Sequence, residues 1–245
     1  MARSDDDTID AFLGGRLRLR QAARGFRAGM DSILLASAAP PLSAGRALEI
    51  GCGAGAALLA VAALNPGLAC VGLERHPEDA ARAQANATMN GLSARVTVLE
   101  GDPIENAAMD IGPPFDAAFC NPPFNAKGRP PTKLRRHAHA SEHSLIQWVN
   151  AVANRLTGGA PMVMIHRADA LPEALAAFEG RLGGVTARPV QPLADQPAHR
   201  VLLKATKGSR AAFRLLPALV LHEAGAKHTP VAEALLRGEA RLAWD

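Results

Sequence analysis

A doubly wound α/β sheet, mostly parallel with an antiparallel edge strand and a small N-terminal cap, is the fold this sequence predicts. Three observations predict it. Short apolar runs that fit buried strands alternate with stretches of helix length between residues 46 and 166. The first run, 46–50, passes through Gly51-Cys52-Gly53-Ala54-Gly55 into an apolar helical stretch, 56–64, a strand–glycine turn–helix arrangement. Glu49, Glu74, Asp102 and Asn121 stand at or near the carboxyl ends of successive runs, the edge along which open α/β sheets bind ligands.

In order along the chain, residues up to about Thr8 read as a frayed end. Leucine and arginine alternate over 13–21, a period of two that predicts a half-buried strand or hairpin whose outward arginines could face a phosphate backbone or simply solvent. A glycine-containing loop, 25–31, precedes a short helix over 32–39, with Asp31 or Ser32 as its N-cap. Pro40-Pro41 ends that helix, so we place an N-terminal hairpin and helix cap at 1–42 and the main domain at 43–245. Strands follow at 46–50, 69–73, 95–99, 115–120 and 160–166, and helices at 56–64, 77–90, 141–156 (Ser141 as N-cap) and 171–182. Further strands at 185–190 and 199–204 close the sheet, and a strand at 213–221 and a helix at 230–236 form the tail.

Asn121-Pro122-Pro123-Phe124 is an unusual way to end a strand. Proline has a fixed φ and no N–H, and it pushes the preceding residue towards extended geometry. The stretch therefore offers a side-chain amide oxygen, backbone carbonyls and an aromatic face on a stiff chain. Such a set suits a planar group that carries an NH2. Glu74, at the tip of the second strand, can accept hydrogen bonds from both hydroxyls of a ribose. Asp102 can accept from an adenine amino group, though it also reads as a turn aspartate before Pro103. Gly51, Gly53 and Ala56 fit a dinucleotide fingerprint as well, which leaves a nicotinamide enzyme open at this point.

Composition narrows the classes. The chain has 245 residues, 48% hydrophobic, enough for a full core, and no apolar run of membrane-spanning length. Cys52, Cys70 and Cys120 lack CxxC spacing and read as reduced, buried thiols of a cytoplasmic protein. The net charge of +4 permits a polyanionic partner. Much of it falls in Lys127, Arg129, Lys133, Arg135 and Arg136, a cationic segment beside the Asn-Pro-Pro stretch that would contact the phosphates of a nucleic acid or simply be a solvated charged loop. His137, His139 and His143 fit no zinc spacing, and no metal is expected.

These residues resemble a known family. Residues 48–55 match the first motif of class I S-adenosylmethionine-dependent methyltransferases, with Glu74 as the ribose acid, Asp102 as the adenine-side acid and 121–124 as the amino-methylating signature. Within the class the sequence is most similar to the tRNA (adenine-N6)-methyltransferases that modify position 37 of a valine tRNA. That similarity is carried by 25–35 and His199-Arg200-Val201-Leu202-Leu203, and it extends over about residues 13–240. Phe124 stands where the family often has tyrosine, which keeps a stacking face and loses a hydroxyl.

The resemblance implies S-adenosylmethionine as cofactor, S-adenosylhomocysteine as product and RNA, tRNA foremost, as substrate. Asn121, Pro122 and Phe124 are the expected catalytic residues: two acceptors for the amine's N–H bonds and a plate for the base. Asp31, Glu49, Gly51, Gly53, Gly55, Glu74, Asp102 and Asn121 are expected around the cofactor. The same acceptor pair also fits a protein-glutamine N5-methyltransferase acting on a translation factor, or an adenine-N6 methyltransferase of ribosomal RNA or DNA. A non-catalytic RNA-binding module leaves the motif set unexplained.

Overall fold

Alternating leucine and arginine do form a half-buried strand in the computed structural model, which describes residues 7–24, 27–123 and 143–245. Strand β2 (Leu17–Ala22) buries Leu17, Leu19 and Gln21 and pairs antiparallel with β1 (Asp7–Phe12), so ordered pairing starts earlier than the frayed end expected from the sequence. Leu13, Gly14 and Gly15 make the turn, all at positive φ. Helix α1 (Met30–Ala38) begins two residues before the expected start, and its N-cap is Gly29 rather than Asp31 or Ser32.

The main sheet alternates with helices: β3 (Gly45–Ile50), α2 (Ala56–Leu64), β4 (Leu68–Glu74), α3 (Pro77–Met89), β5 (Val96–Glu100) and β6 (Ala117–Cys120). Beyond residue 142 come α4 (Leu145–Ala153), β7 (Pro161–Arg167), α5 (Leu171–Phe178), β8 (Leu182–Gln191) and β9 (Arg200–Lys207). The chain ends in β10 (Arg214–Leu215), β11 (Leu219–Val220) and α6 (Pro230–Leu236).

Among the described residues nine strands form one sheet in the order β10-β8-β9-β7-β6-β3-β4-β5, with β11 also on β8. Strands β7, β6, β3, β4 and β5 are all parallel, and β9 runs antiparallel to both β7 and β8. This is the predicted doubly wound fold, with its antiparallel pairings towards one edge. The reversed strand β9 lies one position in from β8, while β10 and β11 are outermost and parallel to β8. The strand expected over 213–221 is split, because Pro217 has no N–H to donate to a ladder.

Each face of the sheet carries its own core. Phe119, Val163, Ile165 and Leu202 pack with α1 and α2 on one face. Cys120, Met162, Met164 and Leu203 pack with α4 and α5 on the other. The tail closes over α1: Trp244 Nε1 donates to the Ala38 carbonyl at 2.8 Å, and the Leu242 amide to the Ser37 carbonyl at 2.9 Å. Among the described residues no helix is long and apolar enough to cross a membrane.

Candidate active site

Strand order alone brings four of the expected residues together. The chain runs β3, β4, β5 outwards in one direction and then returns to place β6 on the other side of β3. The connections therefore diverge between β3 and β6, which opens a crevice at the carboxyl ends of the strands. Glu49 lies one residue before the end of β3, Glu74 ends β4, Asp102 follows β5, and Asn121 follows β6. Three strand spacings of about 4.8 Å span this whole set.

The glycine turn is built for close approach. Gly51, Gly53 and Gly55 have φ of +69°, +54° and +85°, which side-chain-bearing residues rarely adopt. A Cβ on Gly51 would lie 2.6 Å from Trp148 Cη2, so α4 packs directly on the turn. A Cβ on Gly53 would meet nothing within 4 Å, so the described structure leaves space over that residue. The Gly51 and Cys52 amides both donate to the Leu73 carbonyl, at 2.8 and 3.0 Å, which ties the turn to the end of β4.

Glu74 continues that tie. Its carboxylate accepts from the Gly53 amide at 2.9 Å and the His76 amide at 2.8 Å. It is buried, yet each oxygen retains a lone pair for a further donor. Asp102 makes an Asx turn, with Oδ1 accepting from the Ile104 amide at 2.8 Å. His143 Nε2 hydrogen-bonds to Asp102 Oδ2 at 2.9 Å and lies 3.8 Å from Glu105. Burial alone would raise the Asp102 carboxyl, but the Ile104 amide and His143 outweigh it and hold it below its ordinary value.

Glu49 is in a different state. It is only 3% exposed, and its Oε2 has no hydrogen-bond partner among the described residues. Burial pushes its carboxyl well above the ordinary range; the Leu58 backbone N–H lowers it in part, and nearby Glu74 raises it further. The folded protein thus holds a proton that the unfolded chain gives up near pH 4.3. The stability from that proton is complete below the ordinary carboxylate range and is lost as pH rises through the raised value. Glu49→Gln cannot ionise. Between pH 5 and pH 8 the wild type is expected to lose more thermal midpoint than this variant, by about 2–4 °C for each kcal/mol involved. Parallel melting curves across that range contradict the assignment.

Asn121 presents the second orphan. Its Oδ1 is buried and accepts no hydrogen bond among the described residues. Pro122, beside it, is buried, and sheet pairing ends at Cys120, opposite Met164. Asp31, by contrast, is engaged at the start of α1, where Arg200 Nε of β9 donates to its Oδ2 at 2.8 Å. Phe124, Lys127, Arg129, Lys133, Arg135, Arg136, His137, His139 and the expected N-cap Ser141 lie outside the described residues. Helix α4 is capped instead by Ser144, through a capping box with Gln147.

Two features here were not legible in the chain. Asn86 and Asn90, one helical turn apart, grip the backbone of β2. The Arg20 and Arg18 amides donate to Asn86 Oδ1 and Asn90 Oδ1, both at 2.8 Å, and the Asn side-chain amides donate back to the same residues' carbonyls. Asn86 Nδ2 also reaches the Ala54 carbonyl at 2.9 Å, so the hairpin is pinned to the glycine turn. Asparagine recurring beside the alanines of one α3 face was the available signal. The second feature is the His143–Asp102 contact, which spans 41 positions and follows no spacing rule.

Comparison with known proteins places the chain in a family and supports its fold. The model of the methyltransferase small domain family matches residues 27–160. Curated relatives include the tRNA1(Val) (adenine(37)-N6)-methyltransferases of Yersinia pestis and Yersinia enterocolitica, each 32% identical over 101 residues. The match covers 41% of this chain and spans only 40% of those relatives' length. A solved structure described as a predicted O-methyltransferase from Agrobacterium tumefaciens is 29% identical. It superposes with a TM-score of 0.73 over 86% of this chain and 98% of its own. An S-adenosylmethionine-dependent O-methyltransferase from Thermotoga maritima shares the fold, with a TM-score of 0.52, 19% identity, and coverage of 77% of this chain and 68% of its own.

Proposed function

The chain belongs to the methyltransferase small domain family, and from that premise we propose that it methylates the exocyclic amino group of adenine in RNA, tRNA foremost. S-adenosylmethionine, when bound, supplies a methyl carbon on a sulfonium and departs as S-adenosylhomocysteine. The residues fit that cofactor: there is space over Gly53, carboxylates stand at two neighbouring strand tips, and Glu49 Oε2 is a buried polar atom without a partner among the described residues. In this reading Glu74 holds the ribose, Asp102 the adenine, and Glu49 the amino-acid end. Gly51, Gly53 and Gly55 allow close backbone approach, and Asp31, steadied by Arg200, borders the site.

One observation carries the choice of acceptor: the buried, unpartnered Oδ1 of Asn121. A buried oxygen without a donor loses its hydration for nothing in return. An NH2 supplies the missing donor. Asn121 Oδ1 and the Pro122 carbonyl take the amine's two N–H bonds, drawing the nitrogen out of conjugation with the ring and aiming its lone pair. The gain is orientation and preorganised electrostatics. An amide oxygen cannot take up a proton as a base, so this pair suits amine methylation better than hydroxyl methylation.

The names of the Yersinia relatives support tRNA over other nucleic acids. In the same reading Phe124 stacks on the base, and Lys127, Arg129, Lys133, Arg135 and Arg136 meet phosphates. The free, buried cysteines suit a cytoplasmic enzyme, and burial pushes the Cys70 thiol up to about 12. Incubating the purified protein and labelled cofactor with separate RNA and protein fractions tests the substrate class. Label is expected in RNA; label confined to protein would support the glutamine alternative and overturn this reading.

A further inference from the structure

Away from the crevice, three cations gather on β8, β9 and β10, on the same face of the sheet as α1. Thr186 of β8 pairs with Arg214 of β10 on one side and Lys204 of β9 on the other. Residues directly opposite in register share a face, so Arg214 and Lys204 flank Thr186. Their backbones stand about 10 Å apart across two strand spacings. Arg188 lies two residues along β8 from Thr186 and shares that face. Arg214 is exposed, and Lys204 and Arg188 are half-buried.

These cations are collected with little countercharge, that of Asp245 acting on Arg188 and Lys204. None of the three forms an ion pair among the described residues. Arg188 Nη1 and Nη2 donate to the Pro217 and Ala243 carbonyls at 3.1 and 2.8 Å, while its buried Nε has no partner. Lys204 Nζ lies 5.3 Å from the centroid of the Trp244 ring, which holds the ammonium in place. Burial lowers the Lys204 pKa, Arg214 lowers it further, and only Asp245 opposes the shift. Concentrating like charge at a partly dry surface is unfavourable unless an anion completes it.

We infer that Arg188, Lys204 and Arg214, with Trp244, form a second contact for the phosphate backbone of the RNA substrate. This rests on the RNA reading above. The row is longer than a single phosphate group, which favours a chain of them. It is also placed for a bound RNA. Phe119, two residues before Asn121, shares a transverse row with Val163, Lys204, Thr186 and Arg214. Lys204 and Arg214 therefore stand about two and four strand spacings, roughly 10 and 19 Å, to the side of β6. A nucleic acid with its target base in the crevice can lay a neighbouring backbone segment there.

The test is binding of bulk tRNA to the full chain, by fluorescence anisotropy over a range of salt concentrations. It compares wild type with the double variant Lys204→Gln, Arg214→Gln, both sites surface-accessible. We expect Kd to rise about tenfold and the slope of log Kd against log salt to fall by about 2, because two phosphate contacts are lost. Lys204→Arg should bind as wild type, cofactor affinity should not move in any variant, and the thermal midpoint should not fall. Equal tRNA affinity and slope in wild type and double variant would overturn the inference, as would an equal loss of binding to anionic phosphatidylglycerol vesicles, which marks an unspecific polyanion patch. If the double variant loses tRNA affinity but the wild type does not methylate tRNA, the patch stands and the substrate reading falls. If the wild type does not bind tRNA, both fall.

Discussion

Asn121→Ala is expected to lower methyl transfer by about 10²–10³-fold, the size of effect seen when one preorganised polar group is removed from a reacting centre. The same change should leave the fold intact. Asn121 Oδ1 accepts no hydrogen bond among the described residues, so truncation breaks none of theirs at that atom. Removing an unsatisfied buried polar atom is close to neutral for stability, or mildly favourable. A structural asparagine behaves in the opposite way, losing stability along with activity. Single-turnover rates with saturating cofactor, read beside thermal midpoints, separate the two. Unchanged turnover, or a large fall in the midpoint, contradicts the assigned role.

Glu74→Ala should act on the cofactor instead. The carboxylate already fixes the Gly53 and His76 amides, at 2.9 and 2.8 Å, and is proposed to take two ribose hydroxyls. Hydrogen bonds to charged groups contribute roughly 1.5–3 kcal/mol each. Losing two corresponds to about a hundredfold or more in Kd. The glycine turn would loosen as well, since the Gly53 amide loses its acceptor. Glu74→Gln keeps one carbonyl oxygen and should fall between wild type and alanine. Titration calorimetry with S-adenosylmethionine reads all three, and equal affinity in wild type and Glu74→Ala counts against the ribose assignment.

The parts of the molecule legible in the chain are those governed by local rules. Helix α2 occupies 56–64 as expected, because a glycine turn starts it and Asn65-Pro66 prevents its continuation. Helix α6 occupies 230–236 because Thr229 caps it, accepting from the Ala232 amide at 3.2 Å, and Pro230 sits at its first position. The Glu, Asp and Asn at strand ends were legible in the chain, and the strand order brings them to one edge of the sheet. Helix α5 stops at Phe178, short of the expected 182, where Gly180 takes a φ of +74°.

What stayed hidden depends on contacts distant in sequence. The grip of Asn86 and Asn90 on β2 joins residues 66 and 72 positions apart. Whether a buried helical asparagine serves an edge strand or a ligand is decided by what packs opposite, which spacing does not reveal. Arg200 was legible only as part of a motif, and its partner, Asp31, lies 169 positions away. The cation row on β8, β9 and β10 required the register of three strands, and their order in the sheet follows no local signal.

The central claim is that a rigid pair of oxygen acceptors at Asn121 and Pro122 presents an adenine amino group for methylation. Its most direct test is nucleoside mass spectrometry of bulk tRNA after reaction with the purified protein and isotopically labelled S-adenosylmethionine. The predicted result is label in N6-methyladenosine, abolished in Asn121→Ala. Label in a ribose 2′-O-methyl group or on a ring nitrogen, with none at the exocyclic amine, would contradict the account.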